Sequence, residues 1–390
     1  MGAGFTGLSA GLALAERGYD VRILEANRVG WGASGRNGGQ MIGGLSGERR
    51  LARALGPDGD RQLWDLRWAG HELIRTRIKR YDIRCDLKTG YADVAIKPRH
   101  LRELQESHDY LQRHDPPFEF RLLGRDETRD TIGSQAFTGA LVNMGNGHLH
   151  PLNLCLGEAD AAVQQGATIH EGSPVTGIRH GDKPKVETKH GSVTADFVIL
   201  AGNAYHAVAK RLRDVMLPVN SYIIATAPLL PQQIATVNPL DLAICNPNFV
   251  IEYFRLSADK RMLFGGRCNY TGDDPRVITD ELQPRMLRVF PQLDGLPIEF
   301  AWGGRMGIPL NRVPQFGRLA PNVFYAQGYS GHGVNVTHLA GEILADVVAG
   351  TSERFDVFAR LRTWRIPGAH LFPTPLVKLG IAYYQLRDWL

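Results

Sequence analysis

The first 25 residues follow the pattern of a glycine turn, a helix and a strand. Leu8 and Leu12 are four residues apart, as on one face of a helix, and Gly18 follows where that helix would end. Residues 21–24 form a short apolar run that stops at Glu25, which predicts a strand. The order of these elements is typical of the start of an α/β unit.

Three later segments also carry a helical pattern. Apolar residues recur at three- and four-residue intervals in residues 58–81 and 334–349, and residues 99–113 form a further candidate helix. Such spacing is typical of helices that bury one face against a core. We therefore expect two long helices in the first half of the chain and one near its end.

Short runs of β-strand character separated by turn residues predict strands elsewhere. The runs occupy residues 175–178, 186–188, 192–194, 197–200, 222–224, 249–251, 262–264 and 323–326. Residues 197–200 are apolar throughout, which is typical of a parallel strand buried on both faces. The second half of the chain is therefore predicted to be rich in β-structure.

Composition narrows the class of protein. The 390 residues can bury the core of two or three domains, and 43% apolar with 22% charged residues is typical of globular proteins rather than disordered or fibrous ones. The formal charge of +5 comes with arginines that are scattered rather than clustered. That distribution fits solvated helix faces, so no nucleic-acid partner is predicted.

The spacing of the cysteines and the length of the apolar runs indicate whether the chain binds a metal and in which cellular compartment it lies. Cys85, Cys155, Cys245 and Cys268 lie far apart, which indicates neither a zinc site nor a disulfide framework. No apolar run approaches the ~20 residues that span a bilayer, and the N-terminus carries no basic leader. We expect a cytoplasmic protein with no transmembrane segment and no bound metal.

Gly2, Gly4 and Gly7 form a G-x-G-x-x-G fingerprint. In this motif the first glycine makes a tight turn, the second lets the backbone approach a pyrophosphate, and the third allows close helix packing. The following helix N-terminus attracts the phosphates. Glu25, at the end of the next strand, is placed to accept a hydrogen bond from a ribose hydroxyl. An ordinary glycine turn with an exposed glutamate is the competing interpretation.

The fingerprint should follow a buried strand, but only Met1 precedes it. In a doubly wound sheet that strand is central, so its absence would open the sheet where a dinucleotide binds. We therefore expect the natural protein to begin roughly 20 to 40 residues upstream, which leaves room for a ~5–6-residue strand and its lead-in.

A second strand, glycine loop and helix at residues 323–349 favours flavin over nicotinamide binding. A simple NAD dehydrogenase has one glycine fingerprint, whereas FAD is long enough for each end to meet a helix N-terminus. A positive helix end beside the flavin would stabilise the negative charge of reduced flavin. We assign this contact to Gly328, Gly331 and Gly333, with a plain strand–helix turn as the competing interpretation.

A glycine-rich loop at residues 33–39 directly follows the Glu25 strand. Consecutive glycines expose backbone N–H groups, Ser34 and Asn37 add donors, and Arg36 can neutralise a phosphate. We expect this loop to run under the pyrophosphate towards the flavin. A flexible surface loop would explain the same composition.

These three segments together resemble the D-amino-acid oxidase superfamily of FAD proteins, which includes glycine oxidase and sarcosine oxidase. Residues 28–40, 302–317 and 328–335 are most similar to the γ-glutamylputrescine oxidases within it, and the resemblance runs on to residues 364–367. It implies an α/β fold in which a Rossmann-like FAD-binding domain is interleaved with an α+β substrate domain that carries a mostly antiparallel sheet. Most of the chain is covered.

The expected domains follow from the position of these segments. The FAD-binding domain is expected at residues 1–40, 145–205 and 317–352. The substrate domain is expected at residues 41–144 and 206–316, and residues 353–390 are expected to form a C-terminal helical tail.

The resemblance also implies which residues contact the cofactor, which we expect to be noncovalent FAD because no cysteine lies between residues 269 and 390. The implied cofactor-binding residues are Gly2, Gly4, Phe5, Thr6, Gly7, Glu25, Ala26, Ala33, Ser34, Arg36, Asn37, Gly38, Gly39, Val175, Ala201, Gly202, Gly328, Gly331, His332 and Gly333.

The reaction that the resemblance implies is hydride transfer from an amine-bearing carbon to flavin N5. Water would hydrolyse the imine to an aldehyde and ammonia, and oxygen would reoxidise the flavin. The implied partners are therefore a small-molecule amine and oxygen. An apolar pocket would favour the neutral amine.

For the catalytic site we nominate His332 beside the flavin, Tyr253 and Trp302 as aromatic walls, and Arg305 as a polar anchor. Further pocket candidates are Tyr329, Glu252 and Arg267. His148 and His150 precede a proline and are assigned no catalytic role.

Three further functions are compatible with the sequence. An amino-acid oxidase of the glycine or sarcosine type would need a cation for the substrate carboxylate, which Arg305 or Arg267 could supply. A primary amine would not need one. The second function is that of an NAD-dependent dehydrogenase, and the third is that of a flavin-binding subunit or RNA-modification module.

Overall fold

A computed structural model of the protein describes residues 1–205, 208–248, 251–266, 274–369, 375–377 and 380. Arg267, Cys268 and most of the predicted strand at 249–251 lie outside these residues, as does much of 370–390. None of the helices in the described ranges is both long and apolar enough to cross a bilayer.

The described helices and strands alternate along the chain. The helices are α1 Phe5–Glu16, α2 Ala33–Arg36, α3 Glu48–Leu55, α4 Gly59–Arg80, α5 Pro98–His114, α6 Arg125–Ile132, α7 Pro151–Gln164, α8 Pro231–Val237, α9 Pro275–Val289, α10 Gly333–Val348 and α11 Glu353–Ala359. The strands are β1 Arg22–Leu24, β2 Gln40–Met41, β3 Lys88–Ala95, β4 Phe120–Leu123, β5 Gly139–His148, β6 Thr168–His170, β7 Val175–Arg179, β8 Lys185–Thr188, β9 Ser192–Thr194, β10 Val198–Leu200, β11 Leu217–Pro228, β12 Ala243–Cys245, β13 Tyr253–Leu256, β14 Arg261–Gly266, β15 Ile298–Ile308, β16 Gln315–Ala320 and β17 Val323–Gln327.

The helical patterns are confirmed at α4, α5 and α10, and the strand patterns at β1, β7 to β11, β14 and β17. Two details differ from expectation. The expected loop at 33–39 contains the one-turn helix α2. Phe197 lies outside β10 and is 41% exposed. In the described ranges β10 is an edge strand that pairs with β17 alone, and it buries Val198 and Leu200 more fully than Ile199. One face of this strand is therefore covered less fully than expected.

Small parallel sheets surround the glycine fingerprint. β1 pairs in parallel with β6, β10 pairs in parallel with β17, and β16 extends the second sheet antiparallel. Met1 and Gly2 bond to both sheets: the Met1 amine donates to Ile199 O (2.8 Å), and Gly2 N–H donates to Leu24 O (2.8 Å). β7, β8 and β9 form a separate antiparallel meander.

A nine-stranded sheet forms the other half of the molecule. Its order is β15-β11-β14-β13-β12-β3-β5-β2, with β4 also paired to β5. Among the strands of this sheet that the structure describes, only β12 and β3 pair in parallel, so the predicted α/β class with a mostly antiparallel second sheet is confirmed. One face packs on an apolar core with α9, which includes Phe254, Phe264 and Phe290. The other face is turned towards α1 and α10 and forms a wall of the site described below.

The two helices that carry the glycine motifs lie against each other. A Cβ on Gly341 of α10 would come within 2.4 Å of Ser9 Cβ on α1, and a Cβ on Gly11 would come within 2.7 Å of Ile23 Cδ1. α1 is buried from Phe5 to Ala15. Glycine at these positions therefore allows the close helix packing that brings both motifs to one place.

Candidate active site

One cavity joins the two glycine motifs to the nine-stranded sheet. Its volume is about 810 Å³, within the range of cofactor and ligand sites. It is lined by the fingerprint turn, by the start of α10 and by residues of β11, β12, β13 and β15. The sequence prediction that the two motifs share a cleft is therefore confirmed.

The fingerprint turn is shaped by glycine geometry. Gly2 has φ +97°, a backbone conformation that residues other than glycine rarely adopt. A Cβ on Gly7 would lie 1.9 Å from Gly2 O, and a Cβ on Gly4 would lie 2.7 Å from Ser34 Oγ. Gly2 and Gly4 line the cavity, whereas Gly7 lies behind it and closes the turn against the helix.

The N-terminus of α1 opens into the cavity. Its cap residue Gly4 offers no side-chain bond, and Phe5 N–H donates to Ser34 Oγ (3.0 Å). The first N–H groups of a helix have no partner within it, so they and the helix dipole favour an anion there. Phe5 and Thr6 both line the cavity.

Glu25 is held rigidly at the end of β1. One carboxylate oxygen accepts from Ala3 N–H (2.8 Å) and the other from Asn27 N–H (2.9 Å). Each oxygen keeps a further lone pair, and the side chain lines the cavity together with Ala26 and Val175. This arrangement suits recognition of a sugar hydroxyl.

The loop at 33–39 crosses the middle of the cavity. Asn37 organises it, because its amide donates to Ser34 O (2.7 Å) and its carbonyl accepts from Gly39 N–H (2.8 Å). Arg36 lines the cavity, and its Nε donates to Trp31 O (2.7 Å). Gly39 lies outside the lining, where a Cβ would meet Leu149 O at 1.9 Å.

The start of α10 reaches the same cavity. Gly331 (φ +86°) and Ser330 (φ +56°) turn the chain into the helix, and Gly331, His332 and Gly333 line the cavity. Tyr329 OH and Thr6 Oγ1 are 2.7 Å apart, which joins this loop directly to α1.

His332 is partly buried in this loop. Burial lowers its pKa, while Glu48 and a backbone hydrogen bond with Gly43 act in the opposite direction. Within the described part of the chain, its Nε2 has no hydrogen-bond partner. The lowered pKa favours the neutral imidazole, and Nε2 faces no protein partner that would compete with a ligand.

The sheet wall is dominated by Tyr253. Its ring lies between two glycines, since a Cβ on Gly265 would meet it at 2.1 Å and a Cβ on Gly38 at 2.8 Å. Its hydroxyl is 3.1 Å from Ser221 Oγ. Arg305 on β15 is exposed at the cavity rim, with its guanidinium 5.8 Å from the ring of Tyr205.

Most of the residues nominated from the sequence line this cavity. The lining members are Gly2, Gly4, Phe5, Thr6, Glu25, Ala26, Ala33, Ser34, Arg36, Asn37, Gly38, Val175, Ala201, Gly202, Tyr253, Arg305, Tyr329, Gly331, His332 and Gly333. Whether each contacts the cofactor or the substrate stays a prediction.

Three nominated residues besides Gly7 and Gly39 lie outside the lining. Trp302 lies behind the wall, where its Nε1 donates to Arg36 O (2.9 Å), and Gly328 turns against Pro309. Glu252 accepts from Asn246 Nδ2 (3.2 Å) and does not line the cavity. The two histidines that were assigned no catalytic role lie in structural positions, since His148 ends β5 and His150 caps α7.

The sequence did not indicate three further lining residues, Trp31, Tyr205 and Arg312. Trp31 and Tyr205 meet edge to face with ring centroids 5.8 Å apart. Arg312 has φ +61° and donates to Ser330 O (3.4 Å). Their neighbourhood in the chain, inside or next to the recognised motifs, was the available signal.

The cavity has an uneven charge. Among its described lining residues, Glu25 is the one carboxylate, whereas Arg36, Arg305 and Arg312 supply positive charge. Two helix N-termini add to the positive potential. The cavity therefore favours anionic groups at its centre and on the sheet side.

These features fit FAD, the cofactor predicted from the sequence. The glycine cradle at Gly2 and Gly4 leaves room for a pyrophosphate, Glu25 suits a ribose hydroxyl, and the start of α10 gives the flavin end a second positive helix terminus. Groups of three or more acidic, histidine or cysteine side chains suited to a metal are not found in the described ranges.

Comparison with known proteins agrees with this geometry. The family model described as FAD dependent oxidoreductase (DAO) matches residues 1–347. The chain is 42% identical over 393 residues to the gamma-glutamylputrescine oxidoreductase of Escherichia coli (strain K12), spanning 100% of this chain and 92% of that protein. It is 38% identical over 395 residues to the probable oxidoreductase OrdL of Haemophilus influenzae, spanning 100% of this chain and 91% of that protein.

A solved structure shows the same fold. The glycine oxidase from Bacillus cereus ATCC 14579 superposes with a TM-score of 0.74 at 20% sequence identity. The match covers 93% of this chain and 98% of that chain.

Proposed function

The chain belongs to the DAO family of FAD dependent oxidoreductases, and from this premise we propose that it oxidises the primary amine of γ-glutamylputrescine or of a related polyamine derivative. FAD is its cofactor. The proposed reaction converts the amine, oxygen and water into an aldehyde, ammonia and hydrogen peroxide. The similarity of the whole chain to the Escherichia coli gamma-glutamylputrescine oxidoreductase supports this substrate.

The observation that carries the proposal is the charge of the sheet-side cavity. Arg305 and Arg312 line it, and the described lining there includes no carboxylate. Free putrescine carries two ammonium groups at neutral pH, which two arginines would repel. γ-Glutamylputrescine carries a carboxylate at the end remote from its amine, which an arginine at the rim can bind.

The residues around the reacting end have separate tasks. Bound FAD supplies the acceptor for the two electrons taken from the substrate. Tyr253 presents an aromatic wall that excludes water and favours the neutral amine, which is the form with a free lone pair. Arg305 orients the substrate through its far end, and His332 offers an unprotonated nitrogen beside the start of α10.

An amino-acid oxidase of the glycine or sarcosine type is the second candidate, since it too needs an arginine for a carboxylate. The two functions differ in where the carboxylate lies. In glycine it is one bond from the reacting carbon, whereas in γ-glutamylputrescine a chain of carbons and an amide separates them. An arginine at the exposed rim, such as Arg305, fits the longer substrate better.

Peroxide release with γ-glutamylputrescine, putrescine, glycine and sarcosine tests the proposal. We expect γ-glutamylputrescine to give the highest kcat/KM. Arg305→Met should raise the KM for γ-glutamylputrescine by about tenfold or more, as for loss of one charge-assisted hydrogen bond. The same change should leave putrescine oxidation unaffected or improved.

Arg305→Lys is the matched control, because it keeps the charge. A preference for glycine or sarcosine would favour the amino-acid oxidase. FAD that none of the four amines bleaches in the absence of oxygen would refute both candidates.

A further inference from the structure

Three charged side chains meet in the interior behind the cavity wall. Arg77 on α4 is 2% exposed, and Glu158 on α7 and His338 on α10 are 0% exposed. They surround Ser9 on α1, so four helices contribute to one polar cluster, which we call the helix clasp. Neither the cofactor nor the substrate is expected to touch it.

The hydrogen bonds of Arg77 define half of the clasp. Its Nη1 donates to Ser9 Oγ (2.7 Å) and to Glu158 Oε1 (3.1 Å), and its Nη2 donates to Ser9 O (3.1 Å). Ser9 Oγ in turn donates to His338 O (2.8 Å). α1 is thereby tied to α10 through side chains as well as through apolar packing.

The bonds of His338 fix its protonation state. Its Nδ1 lies 2.5 Å from Val334 O, and its Nε2 lies 3.1 Å from Glu158 Oε2. A backbone carbonyl only accepts hydrogen bonds, and so does an ionised carboxylate. With Glu158 ionised, both ring nitrogens therefore donate a hydrogen bond, which makes the ring a cation.

A neutral ring beside a protonated Glu158 would also satisfy these contacts, but the charges around Glu158 disfavour it. Burial alone would raise the pKa of Glu158, whereas His338 and Arg77 outweigh burial and hold it below its usual range. A further charged group beside the clasp is Glu342 on α10, whose carboxylate is 3.5 Å from Arg77 Nη2 and is also paired with Arg17. The buried thiols of Cys155 and Cys85 also interact with Glu158, and burial raises the pKa of both.

His338 of the clasp directly contacts two residues that line the cavity. Val334, the acceptor of His338 Nδ1, lines the cavity in the first turn of α10. The ring of Phe5, which lines the cavity at the first turn of α1, lies 4.8 Å from the His338 ring. A single side chain thus contacts the first turns of both helices.

We propose that His338 is a positioning residue: its Nε2 bond to Glu158, which Arg77 links to Ser9 of α1, and its ring contact with Phe5 fix the spacing of the α1 and α10 N-termini and thereby the affinity for FAD. The inference rests on FAD as cofactor and not on which amine is oxidised. The clasp links the first turns of the two helices, which would hold opposite parts of FAD. Removing one partner of such a buried pair leaves an uncompensated buried charge, which is costly.

The protonation state is tested directly by ¹⁵N NMR of histidine-labelled protein at pH 8.5. A histidine with an ordinary pKa near 6.5 is neutral there, and burial lowers the pKa of His71 and His148 to about 4. We expect an imidazolium signal to persist and to disappear in His338→Gln. A spectrum with neutral rings only would overturn the charged pair of His338 and Glu158, without any variant.

Positioning is tested by FAD affinity, measured by fluorescence on apoprotein. His338→Gln should weaken FAD binding by about tenfold to a hundredfold, and Glu158→Gln by a similar factor. The double variant should be no weaker than either single one, because both break one bond. Glu158→Gln keeps the size and shape of the side chain, so it tests the same hydrogen bond if His338→Gln does not fold.

His148→Gln is the matched control. His148 is also buried, at 1% exposure, but its Nε2 bonds to Asp241 O (2.7 Å) beside the nine-stranded sheet. We expect this change to lower the melting temperature and leave FAD affinity unchanged. Equal losses of FAD affinity in His148→Gln and His338→Gln would assign His338 to general stability and overturn its positioning role.

Discussion

Gly265→Ala should displace Tyr253 and impair the reaction without removing FAD. The new Cβ would lie 2.1 Å from Tyr253 Cε2 and 2.2 Å from its Cζ, whereas ordinary contact begins at 3.4 Å. The ring must therefore move by roughly 1 Å. It cannot move freely, because its other face lies against Gly38.

The displacement has a chemical consequence. The Tyr253 hydroxyl is 3.1 Å from Ser221 Oγ, so a shift of this size breaks the contact. A misplacement of about 1 Å at a reacting centre costs about a hundredfold in rate. We expect kcat/KM for the best amine to fall by about ten- to a hundredfold, with the flavin absorbance spectrum retained.

The neighbouring Gly266→Ala is the control. Its Cβ would point to the opposite face of the sheet and meet the flexible end of Leu282 at 3.2 Å. We expect its kcat/KM to stay within about threefold of the parent, because the end of the Leu282 side chain can shift by the few tenths of an ångström required and does not line the cavity. Steady-state kinetics by peroxide release and calorimetry measure both variants.

A double-mutant cycle decides the cause. In a Tyr253→Ala background the obstructing ring is gone, so Gly265→Ala should add no further loss of stability. If Gly265→Ala left kcat/KM unchanged, or if it lowered stability equally with and without the Tyr253 ring, the reasoning about this side chain would be refuted.

Three further outcomes follow from the geometry. Gly70→Ala would place a Cβ 1.9 Å from Asn335 Oδ1 and 2.3 Å from its backbone O, and should cost about 1–3 kcal/mol in unfolding free energy; Gly181→Ala, with nothing within 4 Å, is the control, and equal melting temperatures would contradict the packing. Glu25→Ala should weaken FAD binding by about tenfold or more through loss of a ribose hydrogen bond, whereas unchanged affinity in titrations of apoprotein would remove Glu25 from the cofactor site. Folding lowers the pKa of Glu158, so its contribution to the unfolding free energy is fully present above its ordinary pKa of 4.5 and is lost as pH falls through the lower folded value. The difference in stability between the parent and Glu158→Gln should therefore narrow in acid. A difference that widened in acid would contradict the lowered pKa.

The sequence was sufficient for elements whose pattern is local. α4 and β9 are found at or within a residue of their predicted bounds, because apolar spacing and turn residues encode them directly. The meeting of the two glycine motifs was also predictable, since each motif marks a helix N-terminus. The apolar pattern could not show that Phe197 would be exposed, because exposure depends on which distant segments cover the strand.

Contacts between distant segments could not be read from the sequence. The position of the Tyr253 ring depends on Gly265, which lies opposite it on the paired strand β14. Only the pairing of the two strands brings these residues together. The clasp joins Arg77, Glu158 and His338, which lie far apart in the chain and carry no shared motif. Trp302 was nominated as a wall of the pocket because it is aromatic, but its indole instead donates a hydrogen bond to Arg36 O.

The bond between Thr6 and Tyr329 has a consequence for biosynthesis. The fingerprint turn is synthesised well before its partner loop, because Thr6 and Tyr329 are 323 residues apart in the chain. A nascent chain therefore carries an incomplete site until α10, which ends at Val348, has been made. FAD can find both helix N-termini in place only after that point.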